Sequence, residues 1–294
     1  MTQIFFKFFL SMKGTNSIVF KLFQQNEIET LKLLQRPSTK IKSPYVSDGV
    51  KNNLQYTIHT PALDMGGQCV PGTNLICIKS NQTSKTDYTL YAIELKETDY
   101  EKVYIGSNPF FAEKILRLCI EQKLVDHFKE FKITKKPPEI DYKGDLYGTL
   151  NEKPHIIEVK NVICATYDPK KPIDKNSHKF YETSKPFIRS GIYPFGKSKQ
   201  KWKKNNVVSA RSVRQLDTMT KIIKKNKDVE FSIVFIVNRS DCNLFRPNWV
   251  SDPIYCKYLI KAKNAGVKLI ALKIHWDRTS CYFKSEIDID LKKW

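Results

Sequence analysis

The chain has 294 residues, 41% of them hydrophobic, and carries 50 Lys and Arg against 30 Asp and Glu for a formal charge of +20. That is enough material for one large domain or two modest ones with their own cores, and no run approaches the ~20 apolar residues of a membrane-spanning helix, which sets aside an integral helical membrane protein. The charge favours a polyanionic partner, nucleic acid first, through phosphate neutralisation and counterion release.

The seven cysteines, at 69, 77, 119, 164, 242, 256 and 281, are odd in number and scattered, with no Cys-x-x-Cys pair and no histidines at zinc spacing. They read as reduced, mostly buried thiols. The apolar run at residues 4–10 is too short to span a bilayer and has neither a basic leader nor a small-residue cleavage site. An intracellular location is expected, in the cytoplasm or with the nucleic acid of a nucleus or nucleoid, and an organellar presequence is compatible with it.

From about residue 14 to 105, short Ile-, Thr-, Tyr- and Val-rich runs at 17–22, 55–59, 74–79 and 88–95 are broken by Gly, Pro, Asn and Asp. This is the pattern of a small β-barrel or meander, with Asp64-Met65-Gly66-Gly67 and Pro71-Gly72-Thr73 as turn signals. At Asn108 the period changes: Asn108 can cap a helix with Pro109 at its first position, and Phe111, Ile115, Leu118 and Cys119 recur at helical spacing. The spacing predicts that this helix opens a second domain.

Two strands follow, residues 144–150 and 155–162, joined by a turn at Asn151-Glu152-Lys153-Pro154. In an extended strand side chains alternate faces, so Glu158 and Lys160 project from one side and Ile157 and Val159 from the other. Asp145 on the neighbouring strand supplies a second carboxylate. Two hard oxygen ligands and an ammonium suit Mg²⁺ or Mn²⁺, with Lys160 orienting or helping to deprotonate an attacking water. The chemistry implied is phosphodiester hydrolysis, although a Glu-x-Lys pair taken alone is most often a solvated ion pair worth a fraction of a kcal/mol. Glu113 and Glu139 are candidates for a third acid.

A basic stretch at about 167–206 reads as an insertion, long for a compact connection. Within it, Lys197, Lys199, Lys201, Lys203 and Lys204 flank Trp202, a pattern suited to a phosphate backbone with a base stacked on the indole, and equally to a solvated loop. A helix is predicted from about Ser209 with Leu216, Met219, Ile222 and Ile223 on its buried face and Arg211, Arg214 and Gln215 elsewhere. Residues 231–237 then form a buried strand, Asp252-Pro253 starts a helix that Gly266 ends, and 267–274 form a second buried strand. Strand, helix, strand at this spacing is a βαβ unit with a right-handed crossover. The histidines share no metal or triad spacing, and His155 is expected at a surface or edge.

In their order, His59-Thr60-Pro61-Ala62-Leu63-Asp64-Met65-Gly66-Gly67-Gln68-Cys69-Val70-Pro71-Gly72, Val103-Tyr104-Ile105-Gly106-Ser107-Asn108, Lys143-Gly144-Asp145, Glu158-Val159-Lys160-Asn161-Val162, Phe235-Ile236-Val237-Asn238-Arg239-Ser240-Asp241, Phe245-Arg246-Pro247, Asp252-Pro253-Ile254-Tyr255 and Ala265-Gly266-Val267 resemble the sugar fermentation stimulation protein (SfsA) family over nearly the whole chain. The resemblance implies an N-terminal OB-like β-barrel, residues 1–105, followed by a restriction-endonuclease-like mixed-sheet α/β domain of the PD-(D/E)XK type, residues 106–294. It implies a DNA-binding, nuclease-like protein in which Asp145 and Glu158 are the metal carboxylates and Lys160 the catalytic lysine, with Mg²⁺ or Mn²⁺ as cofactor. Arg211 matches an arginine of the family's helix, whereas Gln215 stands where the family has histidine, and Lys143 replaces an arginine, keeping charge without the planar fork. Arg211, Arg214, Gln215 and the Lys197–Lys204 run are the nucleic-acid-binding candidates. The rival reading is a non-catalytic DNA-binding regulatory protein, and RNA is a third possibility.

Overall fold

A computed structural model of the chain describes residues 7–12, 15–62, 69–97, 100–137, 139–170, 180–181 and 186–294. The predicted turn at Asp64-Met65-Gly66-Gly67 lies outside them.

Strands β1 (Lys7–Met12) and β2 (Thr15–Gln24) precede β3 (Glu29–Gln35), β4 (Val46–Lys51), β5 (Leu54–His59), β6 (Asn74–Lys79), β7 (Tyr88–Glu97) and β8 (Tyr100–Gly106). The order β5-β4-β3-β6-β7 closes on itself through a parallel β5–β7 pairing, giving a five-stranded barrel, and β8 adds outside it along β7. Alternation drives the closure. Leu31 and Leu33 face inward with Leu75, Leu90 and Ile93, while the intervening Lys32 is exposed. Asn52 and Asn53, at φ 50° and 61°, make the two-residue β4–β5 turn in the left-handed region that asparagine tolerates best after glycine.

The rest of the chain forms α1 (Phe110–Glu121), β9 (Lys132–Ile133), β10 (Leu146–Leu150), β11 (Lys153–Val162), β12 (Cys164–Tyr167), β13 (Phe180–Tyr181), β14 (Ser190–Tyr193), β15 (Gln200–Trp202), β16 (Asn205–Val207), α2 (Ala210–Lys225), β17 (Glu230–Val237), β18 (Leu244–Pro247), α3 (Pro253–Ala265), β19 (Lys268–Trp276) and β20 (Ser280–Ile289). A mixed sheet runs β13-β12-β14-β18-β20-β19-β17-β11-β10-β9. Its centre is two successive parallel crossovers, β11-α2-β17 and β17-α3-β19, the second being the predicted βαβ unit. These strands are buried on both faces, so they read as near-continuous apolar runs. The caps act as the sequence implied. Ser209 Oγ accepts from Ser212 N at 3.2 Å, Asp252 Oδ1 from Tyr255 N at 2.8 Å, and Gly266 leaves α3 at φ 115°.

Three expectations change. Strands β1 and β2, expected in the barrel, belong to the large sheet, because β2 pairs antiparallel with β20. The stretch at 167–206 is not a plain insertion: β14 lies inside the sheet, parallel to β18, and β15–β16 form a hairpin turned at Lys203 and Lys204, both at positive φ. His155 is buried beneath Phe128 and Phe131, its ring nitrogens paired with Ser232 Oγ at 2.8 Å and Glu230 Oε2 at 3.2 Å. A polar ring enters a core at little cost when both nitrogens find partners.

Barrel and sheet are joined by packing and by charge. A Cβ on Gly106 would fall 2.1 Å from the Trp276 ring, so glycine permits β8 to lie against β19. Nearby, Arg239 donates to both oxygens of Asp241, at 3.0 and 2.7 Å, and to Glu97 of β7 at 3.1 Å; Arg189 adds a 2.9 Å bond to Asp241, and Tyr167 donates to Glu97 at 2.7 Å. All five side chains are buried.

Candidate functional site

The register of one hairpin places the acids. Strand β10 pairs with β11 only from Leu146, opposite Ile157, and the bond from Asp145 N to Ile157 O at 3.0 Å is the last rung. Past that point the Asp145 carboxylate turns onto the exposed edge of β11, accepting from Val159 N at 2.7 Å. Gly144 makes this approach possible, since a Cβ there would lie 2.4 Å from Ile156 Cγ2. On β11 the expected alternation holds. Ile157 and Val159 pack toward α1, while Glu158 and Lys160 share the face of Ile156 and Val162 beneath α2.

Glu158 and Lys160 are 2% and 7% exposed, so burial must be compensated by partners. Lys160 Nζ donates to Glu158 Oε1 at 2.8 Å and to Gln215 Oε1 at 2.8 Å; Gln215 Nε2 donates to Glu158 Oε1 at 2.5 Å; Tyr142 OH donates to Glu158 Oε2 at 2.9 Å. The glutamine amide thus closes a ring of hydrogen bonds, its oxygen on the ammonium and its nitrogen on the carboxylate. Burial works against the Lys160 charge and is outweighed by Tyr193, Glu158 and Asp145, so its pKa lies above the ordinary lysine value. In this arrangement Lys160 is an ammonium, suited to holding an anion or a water rather than to accepting a proton. Asp145 is pushed the other way for a carboxylate, up to about 6, by burial and by the charge of Glu158.

These residues open on a cleft of about 330 Å³ lined by Glu113, Asp145, Glu158, Lys160, Arg211 and Gln215. Glu113 comes from the first turn of α1 and Arg211 and Gln215 from α2, so three separate elements converge. Tyr193 and Ser212 line it as well, their hydroxyls 2.9 Å apart. Among the described residues no group of three or more His, Cys, Asp or Glu is placed to hold a metal ion together. The acidic side chains that line the cleft are the carboxylates of Glu113, Asp145 and Glu158. This fits a hard divalent cation that takes one or two protein carboxylates and completes its shell with water or phosphate.

The other sequence candidates fall elsewhere. Glu139 is exposed and outside the cleft, because the segment before β10 directs Ile140 and Tyr142 inward instead. Arg214, on the solvent side of α2, and Lys197, Lys199, Lys201, Lys203 and Lys204 are exposed outside the cleft lining. Trp202 is not available as a base platform of the expected kind: it packs edge-on against Tyr258 of α3 at 6.1 Å, with Nε1 buried. Tyr142 and Tyr193 went unrecognised because no spacing in the sequence connects them to Glu158 or Ser212.

A cation held by Asp145 would have to displace its proton, so stabilisation by such a cation would depend on pH. Mg²⁺, Mn²⁺ or Ca²⁺ is expected to raise the melting temperature clearly at about pH 7.5 and little at about pH 5, below the Asp145 pKa. Thermal melts with each ion and with chelator read this out; an equal shift at both pH values would disconnect cation binding from Asp145.

A profile described as the sugar fermentation stimulation protein RE domain matches residues 206–280. A sugar fermentation stimulation protein homolog of Prochlorococcus marinus subsp. pastoris is 26% identical over 213 residues, covering 70% of this chain and 73% of its own length. One from Pyrobaculum arsenaticum is 24% identical over 211 residues, covering 70% and 72%. The solved structure of Pyrococcus furiosus SfsA in complex with Ca²⁺ superimposes with a TM-score of 0.70 at 16% identity, covering 92% of this chain and 99% of that one. The barrel and mixed-sheet arrangement is thus shared with that protein.

Proposed function

The chain belongs to the sugar fermentation stimulation protein family, and from that premise we propose that it is a divalent-metal-dependent nuclease-like protein of the PD-(D/E)XK type that binds nucleic acid, DNA foremost, and hydrolyses phosphodiester bonds in the Asp145–Glu158–Lys160 cleft. The observation that carries the reading is the convergence of two carboxylates and a buried ammonium at the strand edge where β10 stops.

Asp145 and Glu158 would hold Mg²⁺ or Mn²⁺, which supplies Lewis-acid stabilisation of the phosphate and activation of the attacking water. Lys160 holds its charge beside that position, where it orients the nucleophile and offsets negative charge developing on phosphorus-bound oxygens. Gln215 and Tyr142 keep Glu158 and Lys160 in register, a restraint that counts because small misplacements are costly to rate. Arg211 at the cleft wall suits the scissile or an adjacent phosphate. That a relative's structure is a Ca²⁺ complex supports a hard-cation site in this fold.

Charge distribution supports the partner. Residues 29–106 contain nine Lys and Arg against eight Asp and Glu, whereas residues 107–294 contain 38 against 21. The excess therefore sits on the part of the chain that holds the cleft, where phosphate contacts would make binding steeply salt-dependent.

One observation favours a second reading, binding without turnover: both Glu158 oxygens already accept hydrogen bonds from neighbours. Incubating the protein with single- and double-stranded DNA and RNA, with Mg²⁺, Mn²⁺ or chelator, separates the two. Cation-dependent, chelator-sensitive cutting is expected; tight binding with no cutting under any of these conditions would support the regulatory reading.

A further inference from the structure

Phe110 is 73% exposed, the most exposed large hydrophobic among the described residues. Scattered apolar side chains on a surface need no explanation, but this one adjoins the cleft: it is not itself a lining residue, yet its helix neighbours are. It is the first residue of α1, and Pro109, Ala112 and Glu113 beside it line the cavity. Its backbone is held in place: Asn108 Oδ1 accepts from Phe110 N at 3.1 Å, and Asn108 itself is buried. The ring is therefore presented by a rigid helix start rather than by a loop. One and two turns further along the same helix, Lys114 and Arg117 are also exposed, at i+4 and i+7 from Phe110 and so on its side of the helix.

We infer that Phe110 is a base-stacking platform beside the cleft, and that the substrate it selects has an unpaired base next to the scissile phosphate. This rests on the nucleic-acid reading above and sharpens it to a substrate class. A base inside a duplex has both faces covered by its neighbours and has none to offer a side chain, whereas an unpaired base can leave the stack and cover an aromatic ring. Stacking on Phe110 would remove apolar surface from water on both partners, with Lys114 and Arg117 placed to take the phosphates that follow. Among the described residues, Trp202 packs against Tyr258 and the Tyr193 hydroxyl is bonded to Ser212, whereas Phe110 is the more exposed.

The test is binding in Ca²⁺ of a short single-stranded deoxyoligonucleotide carrying 2-aminopurine, beside a blunt duplex of the same sequence, for wild type, Phe110→Ala and Phe110→Trp. Being exposed, the position tolerates both changes, which circular dichroism melts check. Wild type is expected to bind the single strand with a rise in 2-aminopurine fluorescence as the base unstacks. Phe110→Ala should weaken single-strand binding about ten- to a hundredfold and lose that rise, leave blunt-duplex binding within about twofold, and be rescued by Phe110→Trp. Wild-type binding to both probes that Phe110→Ala leaves unchanged, or weakens equally, would overturn this inference alone. Failure of the wild type to bind either probe would overturn the nucleic-acid reading and this inference with it.

Discussion

Replacing Asp145 by asparagine is expected to abolish cation-dependent cleavage while making the cation-free protein more stable. The two effects share a cause. Asp145 and Glu158 are drawn together at one cleft, and burial with the charge of Glu158 raises the Asp145 carboxyl to about 6. A carboxyl whose folded pKa lies above its unfolded value of about 3.8 favours the folded state only while protonated, so that stabilisation is lost as pH rises from about 4 to about 6. At neutral pH the ionised group is a burden on the fold of about 1–2 kcal/mol, after allowing for its partial exposure. Asparagine removes the charge and keeps an oxygen for the Val159 N–H. Turnover should nevertheless fall on the order of 10³-fold or more, as for loss of a principal electrostatic group at a reacting centre. Glu158→Gln should lose activity to a similar degree without the same gain in stability, because it leaves the buried Lys160 ammonium without its carboxylate partner. Gln215→Ala should be milder in rate. Melting curves and single-turnover cleavage on the same preparations decide the matter: cleavage by Asp145→Asn at the wild-type rate would remove it from the site.

Replacing Asp241 by alanine should be the most damaging single change to stability. Its carboxylate accepts from Arg239 twice and from Arg189 once, with all three side chains buried. Burial alone would raise its pKa, but the two guanidiniums hold it at about 2. Removing the partner of a buried charge costs about 3–5 kcal/mol, chiefly because the remaining charge is left uncompensated. The contrast is Asp126→Ala, which breaks a pair with Lys129 whose side chains are 85% and 55% exposed and should change stability little. The sign with pH follows from the depressed pKa: the Asp241 contribution is present above about pH 4 and lost as pH falls from about 4 to about 2. Urea denaturation of both variants measures the difference; equal costs would mean that the Arg239 cluster does not hold the barrel to the sheet.

Local chemistry was legible in advance. The alternation of Glu158, Val159 and Lys160, the caps at Ser209 and Asp252, and the βαβ spacing from 231 to 274 all emerged as expected, because each depends on neighbours a few positions apart. Arg239 and Asp241 could be matched to a family pattern, yet their physical role was hidden: it needs Glu97 and Arg189, 142 and 52 residues away from Arg239 and Asp241 respectively. The Lys197–Lys204 run misled in one respect. Its lysines are exposed, but the residue chosen as a stacking platform is held by Tyr258, a contact between a hairpin and a helix that no local pattern reveals.

The sequence by itself determined which groups this protein can use: the acids Asp145 and Glu158, the lysine beside them, the helices and strands that carry them, and a positive charge concentrated after residue 107. Those properties follow from residue type and from the periods of strand and helix. Only the tertiary structure decided which groups meet. It brought Glu113 into the cleft and left Glu139 in solvent, bound Gln215 to Glu158 and Lys160, moved β2 from the barrel to the sheet, and left Phe110 exposed beside residues that line the cleft. The reason is that convergence depends on strand register and helix docking, which are set by burial of apolar faces across the whole chain.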